Sequence, residues 1–211
     1  MIHHGCKDLP RYLTGATAMI LALYFIYEKR ADMIVLTASS FLFLICATDT
    51  LYSRIPNLAN AILILLGFCF HIREAGFAGA GWASLGMLAG LGLFLVPFLL
   101  GGMGAGDVKA LTALGTLLGP GIIFQVFVYT ALFGGAMGAL HALFAQNLRD
   151  KFMVFAGTLR TGGLSALRNF RFPKASQTEP LRFPYAAALA FGFFAYIHWG
   201  GIMKLLATSN T

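Results

Sequence analysis

Charge is scarce in this sequence: Asp, Glu, Lys and Arg make up 11% of its 211 residues, against roughly 25% in a soluble domain. With 58% hydrophobic residues and a mean hydropathy of +0.77, that scarcity excludes both an ordinary water-soluble domain and a disordered chain. Cysteine is nearly absent. Cys6, Cys46 and Cys69 stand singly, with no CxxC pair, so neither a zinc site nor a disulfide framework is indicated. Cys46 and Cys69 lie in apolar runs and read as small packing residues. The sequence has no HExxH zinc motif, no GxSxG nucleophile setting, no phosphate-binding loop, no internal repeat and no low-complexity segment. Glu28, Lys29 and Arg30 follow the first apolar run where a cleavage pattern would stand, so no cleavable signal peptide is expected.

What is present is a series of apolar runs. They cover about Tyr12 to Tyr27, Met33 to Ala47, Leu58 to Ile72, Phe77 to Leu100, a run from Val108 broken at Gly119-Pro120-Gly121, Ile122 to Ala145, and Pro184 to Ala207. At roughly 20 residues per crossing, the reading is an all-α, polytopic membrane protein with six or seven transmembrane helices. The third run is thin, about 22 Å at 1.5 Å per residue, and is expected to extend past its apolar limits. Residues 1–32 read as an extra N-terminal helix with its connector, and 33–207 as the main membrane domain, with a basic loop over 146–182.

The positive charge is expected at a membrane face and not on nucleic acid. If Asp49 and Asp107 face the cytoplasm, alternation places 11 of the 15 Lys and Arg inside and 4 outside. Inside are Lys7, Arg11, Arg54, Lys109 and the 146–182 cations; outside are Lys29, Arg30, Arg73 and Lys204. The N-terminus is then cytoplasmic and the C-terminus outside. In the basic loop Leu148, Phe152, Phe155 and Leu159 recur at helical spacing, either as a helix lying on the membrane surface or as a loop that only enforces topology.

Asp49, Asp107 and, more weakly, Glu74 are acids within or against apolar runs, where an ionisable group is costly and functional by default. Alternation puts Asp49 and Asp107 on one face of the membrane. Two close carboxylates in a low-dielectric site share a proton, giving an acid and a base at one pH. Such a pair can hydrolyse an amide without a metal or a covalent nucleophile. Gly101, Gly102, Gly104 and Gly106 precede Asp107 and are expected to supply positive φ and close approach. The bland alternative is an inter-helix turn with Asp107 as an N-cap. A transporter using the two acids as an ion path, or a non-catalytic membrane subunit of a filament or secretion machine, stays open on the residues alone.

The remaining polar residues have two readings each. Lys109 could tune Asp107 or contact a substrate carbonyl, or else snorkel to lipid headgroups. Arg54 could contact headgroups or substrate. Pro56 is expected to fix the start of the next helix, and Asn57 to cap it or to orient the loop bearing Asp49. His141 and His198 read as packing or interfacial residues, and His3 and His4 have no further ligand at metal-site spacing.

Gly101-Gly102-Met103-Gly104-Ala105-Gly106-Asp107-Val108-Lys109 resembles the signature of the GxGD membrane aspartyl proteases, specifically the type IV prepilin peptidases. Asp49-Thr50-Leu51-Tyr52-Ser53-Arg54-Ile55-Pro56-Asn57 is similar to that family's other active-site segment. Arg182-Phe183-Pro184-Tyr185-Ala186-Ala187-Ala188 through Gly192 resembles the start of its last helix. The resemblance covers roughly Met33 to Ala207 and implies that Asp49 and Asp107 are the catalytic pair. It also implies prepilin-like precursors as substrates, a bacterial inner-membrane location among membrane lipids, and no cofactor or metal. The larger bifunctional members carry an insert with paired CxxC motifs linked to N-methylation; this chain has neither the motifs nor room for the insert before Asp49. It looks more like the short, protease-only members that serve tight-adherence (Flp-type) pili. The helix over Tyr12 to Tyr27 has no role in that comparison.

Overall fold

A computed structural model describes residues 5–100, 103–144 and 185–201. These form six helices and, among the described residues, no strand: α1 (Gly5–Glu28), α2 (Met33–Tyr52), α3 (Asn57–Leu99), α4 (Ala105–Leu118), α5 (Pro120–Phe144) and α6 (Tyr185–Trp199). The chain divides into two compact units. One comprises residues up to 134 and from 182 onward; the other, 135–181, is described only over 135–144. The surface helix or loop expected over 146–182 lies outside the described residues.

Local chemistry sets the breaks. Asp32 caps α2, its carboxylate accepting the N–H groups of Ile34 and Val35 at 3.0 and 3.1 Å. At the other end α2 runs three residues past Asp49 and closes at Ser53, a left-handed residue (φ 54°) whose N–H donates to the Asp49 carbonyl at 2.9 Å. Ile55 precedes a proline and is pushed out of the helical region. Pro56 (φ −65°, ψ 126°) is the residue before α3. Proline therefore stops the chain from turning too early; it is the N-cap rather than the first helical residue.

α3 folds back on itself at Ala75 and Gly76, and Gly76 takes φ 56° and ψ −134°. Only glycine adopts that conformation at low cost. The thin third run does extend, since helix continues through Arg73 and Glu74 to this bend. α4, about 21 Å long for its 14 residues, lies against both halves of α3. His71 Nε2 meets the Leu117 carbonyl at 3.1 Å, and Ile55 lies beside Gly106. α4 is thus parallel to the first half of α3. Gly86 opposes Gly115 and Gly90 opposes Leu111, so it is antiparallel to the second half. At the Gly86–Gly115 crossing a Cβ on either glycine would stand 2.1 or 2.2 Å from the other's carbonyl oxygen. Lipid offers no hydrophobic driving force between helices, so small residues that let backbones touch hold such a crossing.

α5 is antiparallel to α6. Tyr129 Oη donates to the Gly200 carbonyl at 3.2 Å, Thr130 faces Gly192, and Gly134 faces Ala188. Since α6 starts at the same end of the bundle as α4, the break at Gly119-Pro120 reverses the chain. α1 is antiparallel to α2 and stacks Phe25 on Phe194 of α6, ring centroids 4.8 Å apart. Leu42, Ile45, Leu111, Leu114, Leu189 and Phe193 form the fully buried centre, while Leu58, Leu65, Phe77, Leu85 and Leu132 are exposed.

The protein is an all-α membrane protein. Among the described residues α2, α3 and residues 120–139 of α5 are long and apolar enough to cross a membrane, and α6 is a shorter apolar helix. α3, bent back at residue 76, presents two apolar halves. Cys46 is buried and its thiol donates to the Ala186 carbonyl at 3.3 Å, as a packing residue can. Cys69 differs from the expectation: it lies on an exposed face of α3.

Candidate active site

One end of the bundle gathers the last turn of α2, residues 53–57, the start of α4 and the start of α6. Asp49 sits in the last turn of α2 and Asp107 in the first turn of α4, both partly buried. Each lies within electrostatic reach of the other, and the Tyr185 hydroxyl at the head of α6 is within reach of Asp107. α6 is held there by the Cys46 thiol on Ala186.

Asp107 is the third residue of α4 and not its N-cap. Its Oδ2 accepts the N–H of the cap residue Gly104 at 3.3 Å, and its own N–H donates to the Gly104 carbonyl at 3.2 Å. This is half of a capping box, because glycine has no side chain to return the bond. The carboxylate is thereby tied to the loop that presents it.

At Gly104 and Gly106 the expected close approach is present, but the expected positive φ is not. Gly104 has φ −83° and Gly106 is helical; among the described glycines positive φ occurs at Gly76, Gly119 and Gly200. What Gly104 and Gly106 provide is room. A Cβ at Gly104 would stand 3.3 Å from Asp107 Oδ2, and one at Gly106 would stand 3.5 Å from Ile55. Gly101 and Gly102 lie outside the described residues.

Asn57 is the first helical residue of α3 and does not cap it. Its Oδ1 accepts from Lys109 Nζ at 3.0 Å. This bond joins the segment after Asp49 to the helix bearing Asp107, a link that neither residue's sequence context revealed. Arg54 is exposed on the same segment. Glu74 is at the far end of the bundle, where it lines a hollow of about 680 Å³ with Asp32, Phe70 and Arg73; it takes no part in the aspartate pair. His198 sits at the far end of α6, against Trp199. Among the described residues no group of three or more His, Cys, Asp or Glu is gathered as for a metal.

Two neighbours of the pair were not singled out from sequence. Tyr185 stands in the segment likened above to the start of the family's last helix. Arg11 lies on the extra helix; its guanidinium donates to the Asp49 carbonyl.

The stretch holding both aspartates can be compared with known proteins. Residues 36–139 match the sequence profile of the type IV leader peptidase family. This segment belongs to that family. The chain is also 28% identical over 131 residues to the prepilin leader peptidase/N-methyltransferase of Bacillus subtilis (strain 168). That match covers 60% of this chain and 52% of the relative, so the chain spans about half the length of the curated relative it matches. No solved structure matches the chain significantly. The family segment takes in α2, α3, α4 and the first part of α5, which are the elements that carry Asp49, Asn57, Gly104, Asp107 and Lys109. It leaves out α1 and α6.

Proposed function

We propose that the protein is an aspartyl endopeptidase that removes the leader of type IV pilin-like precursors at the cytoplasmic face of a bacterial inner membrane. The observation that carries this reading is the meeting of Asp49 and Asp107 at one end of the bundle, each on a helix end. One carboxylate, as base, takes a proton from water while the oxygen attacks the scissile carbonyl carbon. The other, protonated, gives its proton to the carbonyl oxygen. Collapse of the tetrahedral intermediate breaks the C–N bond; the leaving nitrogen takes a proton and the leader departs with a new carboxylate. No metal or cofactor enters this scheme. The Lys109–Asn57 bond and the Gly104 cap keep the two segments in register while the water attacks. Arg54, exposed beside them, is placed to meet the precursor or the headgroups. The chain has no CxxC pair, so the activity proposed is peptidase without methyl transfer. Co-expression with candidate precursors, read as leader loss on a gel, tests the reading; persistence of every precursor at full length would end it.

Room at Gly106 leads to a second expectation. Gly106→Val adds branches to a Cβ already 3.5 Å from Ile55, forcing the start of α4 away from the segment that follows Asp49. Cleavage is expected to fall about 10-fold or more, with the protein still present in the membrane. A Gly106→Val chain cleaving at the parental rate would reduce the loop to a connector.

Orientation follows from the basic residues. Arg11, Arg54 and Lys109 share the end that holds the aspartates, whereas Lys29, Arg30 and Arg73 are at the other. The positive-inside rule assigns the aspartate end to the cytoplasm. In a chain with Cys6, Cys46 and Cys69 replaced, a cysteine substituted for Ser176 should be shielded from an impermeant maleimide in intact cells. One substituted for Ser209 should react. The reverse labelling pattern would overturn the orientation.

A further inference from the structure

We infer that Arg11, on the helix that precedes the family segment, is a positioning residue for Asp49; the inference rests on the peptidase reading above. Arg11 begins the packed stripe of α1. Gly15, Ala18, Ala22 and Phe25 follow it at the alternating four- and three-residue spacing that keeps one helical face; all four are buried. An arginine heading an otherwise apolar packed stripe is costly unless it has a polar partner. The partner is the Asp49 carbonyl.

That carbonyl already accepts the Ser53 N–H, which closes α2, and a carbonyl oxygen can accept two hydrogen bonds. The last turn of α2 contains no basic residue of its own. The end of a helix carries partial negative charge and favours a cation; α1 supplies it from outside. One turn further along, Gly15 lets the two helices touch. A Cβ there would fall 2.0 Å from Thr50 Oγ1, and Thr50 is 4% exposed. The Arg11 bond and the Gly15–Thr50 contact hold two consecutive residues of α2, one of them Asp49. The turn is held against fraying, which keeps Asp49 within electrostatic reach of Asp107. α1 thus acts as a brace for one half of the aspartate pair.

The test uses the full chain in detergent with a purified, leader-bearing pilin-type precursor, and reads kcat and KM separately. Arg11→Ala should lower kcat on the order of 10- to 100-fold, as expected when a reacting group is displaced, with KM within about 2-fold. Arg11→Lys, which keeps a charge and a donor, should recover most of the loss. Hydrogen exchange at the Ser53 amide, which needs no substrate, should speed up in Arg11→Ala and return toward the parental rate in Arg11→Lys. Should Arg11→Ala fail to accumulate, Arg11→Gln takes its place. An unchanged kcat with parental cleavage intact would overturn the brace and leave the peptidase reading standing. A rise in KM alone would also overturn it, because Arg11 would then be a substrate contact. If the parental chain cuts no precursor, it is the peptidase reading that fails, and Ser53 exchange alone then decides whether Arg11 holds the end of α2.

Discussion

Asp49→Asn and Asp107→Asn should each remove cleavage, by at least roughly 1,000-fold, while the protein accumulates in the membrane as before. Asparagine keeps the shape and a carbonyl oxygen. In Asp107→Asn that oxygen can still accept the Gly104 N–H that Asp107 now accepts at 3.3 Å, so the first turn of α4 keeps its cap. What asparagine lacks is a titratable proton. The two groups act on each other electrostatically, and a pair that hands one proton between its members works as a unit. The double variant should therefore be no slower than either single one, where independent contributions would multiply. Residual cleavage by either purified single variant near the parental rate would rule out the aspartyl mechanism. A double variant markedly slower than both would show that the carboxylates act separately.

The second large effect is on folding. Gly86→Ala places a methyl 2.1 Å from the Gly115 carbonyl oxygen, a contact with backbone that no rotamer change can relieve. The second half of α3 must move off α4, and with it the shared contacts at Gly90 and Leu111. A loss of about 4 kcal/mol or more is expected, at the severe end of single substitutions. It should be visible as a collapse of the fraction surviving heating in detergent. Gly92→Ala, on the same half-helix with nothing within 4 Å of the new methyl, should stay within about 0.5 kcal/mol of the parent. Equal heat stability of the two variants would mean that the helices do not meet at residues 86 and 115. Because α4 carries Asp107, any Gly86→Ala protein that survives should also cleave poorly.

Much of this arrangement was legible in the residues. The apolar runs gave the helices, the interruption between the runs ending at Ile72 and starting at Phe77 gave the bend in α3, and Gly119-Pro120 gave the reversal before α5. These are local signals: a run of apolar side chains, or a residue that cannot continue a helix, acts where it stands. The aspartates were found because an acid against a membrane run is costly wherever the helix packs. Pairings were not legible. The Lys109–Asn57 bond, Tyr185 beside Asp107 and Arg11 on the Asp49 carbonyl each join segments far apart in sequence, and they depend on which helix faces which. The glycines before Asp107 illustrate the same limit. Their clustering pointed to an unusual loop, but whether a glycine serves conformation or clearance depends on its neighbour in space, here Ile55 and the Asp107 carboxylate itself. The exposure of Cys69 is another case, since an apolar run does not reveal which of its faces meets protein.

The position of α3 between the two aspartate segments has a consequence for how the protein is made. A ribosome delivers Asp49 first, then the whole of the bent helix, then Asp107. α4 has its docking surface only when both halves of α3 stand side by side, because it is parallel to one and antiparallel to the other. The two carboxylates therefore cannot meet until the hairpin has inserted and closed, and α6 must still arrive to bring Tyr185. A nascent chain stalled anywhere before residue 107 holds one of the two carboxylates and not the other. If the pair is hydrolytic as proposed, the order of synthesis itself withholds it until the scaffold is finished.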